Sequence, residues 1–126
     1  MCIRDRVERL FRDHAGLYLS ELVELEVLSA FSRLVRVRSL EIEAAHRTSA
    51  AFNAHLTSGF YGRVHLEATH YRWARDAIAR FDLPLKSPDA LHVAAAYVGG
   101  LRLVTADRQL AQNAESLGVR AELIEA

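Results

Sequence analysis

The chain has one cysteine, Cys2, so no internal disulfide can form. No apolar run is long enough to span a bilayer, which takes about 20 residues in a helix. The first residues, Met1 to Asp13, lack the apolar core of a signal peptide. Together these absences predict a cytoplasmic protein with no membrane partner. Lysine is nearly missing: fifteen arginines stand beside one lysine, Lys86. Arginine suits bidentate phosphate contacts, but a GC-rich coding bias explains the same excess. Formal net charge is zero, so the total gives no support to nucleic-acid binding, which depends on a local patch. There is no glycine-rich phosphate loop and no nucleophile elbow, and the six histidines form no ligand cluster.

What is present suffices for a core. Apolar residues make up 51% of 126 residues, which points to one globular domain. The pattern alternates short apolar strands with helices. Leu17 to Leu19 reads as a strand, Ser20 as an N-cap, and Glu21 to about Arg36 as a helix. Ser39 or Leu40 starts a second helix that runs to about Thr57, rich in alanine and free of Pro and Gly. Val64 to Leu66 is a candidate strand. Ala68 to Phe81 is a helix with Tyr71, Ala74, Ile78 and Phe81 near one face. Ser87-Pro88-Asp89 starts the next helix, with Ser87 as the cap, and Gly99-Gly100 stops it. Leu101 to Val104 is a strand, Asp107 turns the chain into a helix that ends before Gly118, and Val119 to Ile124 is the last strand. Val7 to His14 reads as the end of a short helix. This alternation predicts an α/β fold with a short parallel sheet covered by helices.

Two acids stand at the boundaries where an α/β protein keeps its chemistry. Asp89 and Asp107 each open a helix, and the strand between them sets their separation. Each also has a plain structural reading. An acid in a first helical turn contributes about 0.3–1 kcal/mol against the dipole, and aspartate is a favoured N-cap. As a pair at one sheet edge they repel, and a bound divalent cation would relieve that. A third acid lies on the first long helix. Glu26 sits at the margin of its apolar arc, Glu24 further inside, and periodicity does not separate them. Arg33, Arg36 and Arg38 form the densest basic cluster, able to grip phosphates or simply to solvate a helix. His92 shares a helix with Asp89, and its ordinary role is packing. Tyr71 and Trp73 read as core or interface residues.

Three segments resemble PIN-domain endoribonucleases, especially VapC-type toxins. They are SELVELEVLSAF with Glu26, SPDALHVAAA with Asp89, and LVTAD with Thr105 and Asp107. The resemblance implies a three-layer α/β/α fold over residues 7–126. It implies a Mg²⁺ or Mn²⁺ site held by Glu26, Asp89 and Asp107, with Thr105 in the same motif as Asp107; Arg33 and Arg36, from the basic cluster, are the candidates for contacting RNA. The metal would lower the pKa of a bound water and stabilise charge on the phosphate. It further implies a homodimer that cuts RNA as the toxin of a type II toxin–antitoxin pair, restrained by a cognate antitoxin.

One departure stands out. The family opens with a strand that ends in Asp-Thr or Asp-Ser, whereas this chain begins MCIRDRVERLF. Asp5 lacks both the preceding apolar strand and the following hydroxyl residue. The expectation is that the first strand is missing and that Met1 to Arg6 is a foreign scar. Such a fragment is expected to lose stability and metal affinity. Two rival readings are a non-catalytic α/β protein-interaction module and a phosphoacceptor receiver domain. The second is weaker, because the only lysine, Lys86, lies just before Asp89.

Overall fold

The computed structural model describes residues 16–124. The helix expected at Val7 to His14, the segment Met1 to Arg6 and Asp5 lie outside the described residues. Among the described residues there are five helices and four short strands. In chain order these are β1 (Tyr18–Ser20), α1 (Glu21–Arg36), α2 (Ile42–Thr57), β2 (Gly62–Val64), α3 (Ala68–Ile78), α4 (Ser87–Gly99), β3 (Leu103–Thr105), α5 (Arg108–Ser116) and β4 (Ala121–Leu123). The mixed α/β class expected from the alternation is the class observed. The chain divides into two compact units, one of residues Gly16–Arg63 and one that begins at Val64.

In the N-terminal unit, β1 pairs with β2. Ser20 caps α1, its side chain accepting from the Val23 N–H at 3.4 Å, and α1 has the predicted bounds. The following turn differs from expectation. Arg38 takes a left-handed φ of 61°, and the Ser39 and Leu40 N–H groups bond back to the Leu34 carbonyl at 2.8 and 3.2 Å. That closure consumes the residues expected to start a helix, so α2 begins later, at Ile42. Strand β2 lies two residues upstream of the expected Val64 to Leu66. The Gly62 N–H bonds the Leu17 carbonyl at 2.8 Å, and a Cβ at Gly62 would collide with the Tyr18 ring. Only glycine permits so close an approach. Glu24 on α1 forms an ion pair with Arg63 on β2.

The C-terminal unit holds most of the core. Helices α3 and α4 approach through small residues: Ala74 from α3 meets Ala90 and Ala94 from α4, with Trp73, Ile78, Leu85 and Leu91 packed around them. A second cluster joins Val93 and Ala96 of α4 to Leu110 and Ala114 of α5 and to Val119. Val93 has no exposed surface, and burying a side chain of its kind contributes about 1.5–3 kcal/mol. Strands β3 and β4 are parallel, with Leu103 beside Ala121, Val104 beside Glu122 and Thr105 beside Leu123. The parallel pairing matches the expectation from strand–helix–strand order.

Helix α3 is shorter than its sequence suggests. It ends at Ile78, and Phe81 adopts a φ of 56° with 88% of its surface exposed. Its expected face holds in part: Ala74 is buried and Ile78 packs against the core, whereas Tyr71 and Phe81 face solvent and His70 and Ala77 are buried in their place. The left-handed turn carries Phe81 off the helical line. The last strands also begin later than expected, at Leu103 and Ala121. Leu101 and Val119 are used instead in closing the preceding helices, bonding the Ala96 and Ala114 carbonyls at 2.8 and 2.9 Å.

Candidate functional site

Asp107 stands two residues after the end of β3. Its own N–H donates to Thr105 Oγ1 at 3.0 Å, and its Oδ1 accepts from the Leu110 N–H at 3.1 Å. It is the N-cap of α5, as the sequence predicted. Thr105 is held in turn, since its carbonyl accepts from the Ile124 N–H at 2.8 Å. A strand end, a threonine hydroxyl and a helix start thus fix one exposed carboxylate.

Asp89 lies in the first turn of α4, half-buried, with Ala90 beside it fully buried against Ala74 and Ala94. The expected cap is corrected: Lys86, and not Ser87, occupies the N-cap position, with no side-chain capping bond. Ser87 already lies within the helix, and Pro88 falls at its start, where a missing N–H costs nothing. Packing of Ala90 therefore sets where Asp89 stands.

Asn113 was not singled out by the sequence reading. It is 2% exposed, donates from Nδ2 to the Pro84 carbonyl at 3.1 Å and accepts from Gln109 Nε2 at 3.1 Å. It ties α5, which carries Asp107 at its start, to the loop that leads into the Asp89 helix. Its signal in the sequence was a polar residue on a face otherwise made of Leu110, Ala114 and Leu117. His70 was also unmarked; it is buried, and its Nδ1 accepts from the Glu67 N–H at 2.9 Å, a capping arrangement at the start of α3.

Glu26 lies in the N-terminal unit on α1, exposed. Its neighbour Glu24 is the acid engaged by Arg63. Arg33 and Arg36 occupy the last turn of α1, where cations favour the dipole, and Arg36 also donates to Ser32 Oγ at 2.7 Å.

A hard divalent cation is held by several oxygen ligands. Among the described residues no group of three or more His, Cys, Asp or Glu side chains gathers in a way that could hold a metal ion. The described donors do not by themselves complete such a site. No helix among the described residues is long and apolar enough to cross a membrane.

Comparison with curated proteins finds no match. A family model does match, over residues 2–116, and its description is the PIN domain. That span contains the Asp89 helix, the Thr105 to Asp107 turn and Glu26 alike. With most of its length matched and its two aspartates at helix starts in a mixed α/β fold, this chain belongs to the PIN-domain family, whose members are generally metal-dependent nucleases acting on RNA or DNA.

Proposed function

We propose that this protein is a cytoplasmic VapC-type endoribonuclease, the toxin of a type II toxin–antitoxin pair. In this reading it works as a homodimer with Mg²⁺ or Mn²⁺ and is restrained by a cognate antitoxin. Asp89, Asp107 and Glu26 are the acids assigned to phosphodiester hydrolysis. Thr105 positions Asp107, and Arg33 and Arg36 contact the RNA backbone. The observation that carries the reading is the Thr105–Asp107–Leu110 arrangement, which holds a carboxylate at the end of β3 in the same unit as Asp89. Carboxylates alone repel a phosphate, so in this reading the acids would serve to hold the divalent cation.

The test is RNA cleavage with and without Mn²⁺, using the chain beside its Asp89→Asn and Asp107→Asn variants. Cleavage is expected to need the metal and to fall on the order of 10²–10³-fold in each variant while circular dichroism is unchanged. Metal-independent cleavage, or cleavage by both variants at the parent's rate, overturns the reading.

A second reading rests on the cap itself. Asp107 Oδ1 is already engaged by Leu110, as a purely structural aspartate would be. A non-catalytic protein-interaction module needs no more. Asparagine caps nearly as well as aspartate, so Asp107→Asn keeps the cap and removes the charge. On this reading the variant behaves as the parent in every assay.

A further inference from the structure

The C-terminal unit carries an open cleft of about 450 Å³ at the other ends of α4 and α5 from Asp89 and Asp107. It is lined by the apolar Ala96, Leu101 and Val119, by Tyr97, and by Arg102 and Arg120. The two arginines are neighbours by register. Leu103 lies beside Ala121 in the parallel pair, so one residue upstream sets Arg102 beside Arg120. The link is direct, since the Leu103 N–H bonds the Arg120 carbonyl at 2.9 Å. Like charges side by side on adjacent strands are unfavourable. Glu122 offsets Arg102 only loosely, at 3.8 Å, and does not line the cleft. An anion between the guanidinia would relieve the remainder.

The helix ends beneath do not supply the opposite charge in full. The N–H groups of Gly100 and Leu101 cap carbonyls of α4, and those of Gly118 and Val119 cap carbonyls of α5. The space above is open: a Cβ added at Gly100 or Gly118 would meet nothing within 4 Å. Tyr97 is 52% exposed and is backed by Trp73, their ring centroids 4.9 Å apart. A braced aromatic side chain in a cleft also lined by two arginines matches a planar base joined to a phosphate.

We propose that this cleft binds a nucleotide unit of single-stranded RNA, its base against Tyr97 and its phosphate between Arg102 and Arg120. The site lies at the opposite helix ends from Asp89 and Asp107 and needs no divalent metal.

The test is a titration of the full chain with AMP in EDTA. The single tryptophan, Trp73, reports through its fluorescence. Saturable binding is expected, weakened roughly tenfold by Arg120→Ala and by Arg102→Ala. Tyr97→Leu, which keeps apolar volume and removes the ring, weakens it several-fold. A short single-stranded oligoribonucleotide competes with AMP. Circular dichroism checks each variant, and Arg120 is exposed, so its truncation leaves the fold intact. Three results overturn the proposal. One is absence of saturable binding. Another is equal competition by inorganic phosphate with no effect of Tyr97→Leu, which marks a bare anion site. The last is failure of the oligoribonucleotide to compete, which marks a site for free nucleotide. Because no cleavage is read, loss of the catalytic reading leaves this result standing.

Discussion

In the C-terminal unit, α4 alone buries five residues, Ala90, Val93, Ala94, Ala95 and Ala96, whereas in the N-terminal unit the longer α1 buries none of its sixteen. Both helices are rich in apolar side chains. The difference lies in what meets them. Alanines on α3 and α4 let two backbones come close, and Val93 and Leu110 fill the space toward α5. On α1, Leu25, Leu28 and Leu34 remain exposed. In the N-terminal unit only Ser20 and Leu56 are buried. Apolar composition is therefore a poor guide to cohesion: close packing carries it, and here close packing is concentrated around the helices that bear Asp89 and Asp107.

The comparison is broken most strongly by Leu110→Ala. Truncation inside the packed cluster is expected to lower the unfolding free energy by about 2–5 kcal/mol, read from urea denaturation. Next comes Asn113→Ala, which orphans the Pro84 carbonyl. A loss of about 1–3 kcal/mol is expected, with a matching fall in cleavage if the tie between the two aspartate-bearing segments matters. If stability falls and cleavage per folded molecule does not, Asn113 is purely structural. Asp107→Ala should cost about 1 kcal/mol as a lost cap, and Asp107→Asn only a few tenths. Equal losses would show that charge, and not capping, sets the stability there. The smallest effect belongs to Leu25→Ala on the exposed face of α1, expected within about 0.5 kcal/mol of the parent. A loss above 2 kcal/mol would show that this face is covered in solution.

Particular elements show what could be read in advance. The bounds of α1, the capping role of Ser20 and of Asp107 and the stop after α4 were all legible, because caps and breakers act within a turn of chain. The Thr105 to Asp107 motif was legible through its resemblance to the family pattern. Less legible were the start of α2, the place of β2 and the end of α3. Each depends on a backbone state the residues do not announce: a left-handed arginine at 38, a glycine seated against Tyr18, a left-handed phenylalanine at 81. Ser87 was a reasonable cap by type, yet the helix opened one residue earlier, at a lysine with no capping side chain.

The sequence by itself determined the α/β class, the order of elements and the placement of Asp89 and Asp107 at helix starts. Those follow from hydrophobic period and from hydrogen bonds spanning three or four residues. Tertiary structure alone decided which apolar faces are buried, that Asn113 joins α5 to the loop before α4, and that Arg102 lies beside Arg120. These outcomes depend on partners far apart in the chain, and local pattern carries no record of which partner arrives.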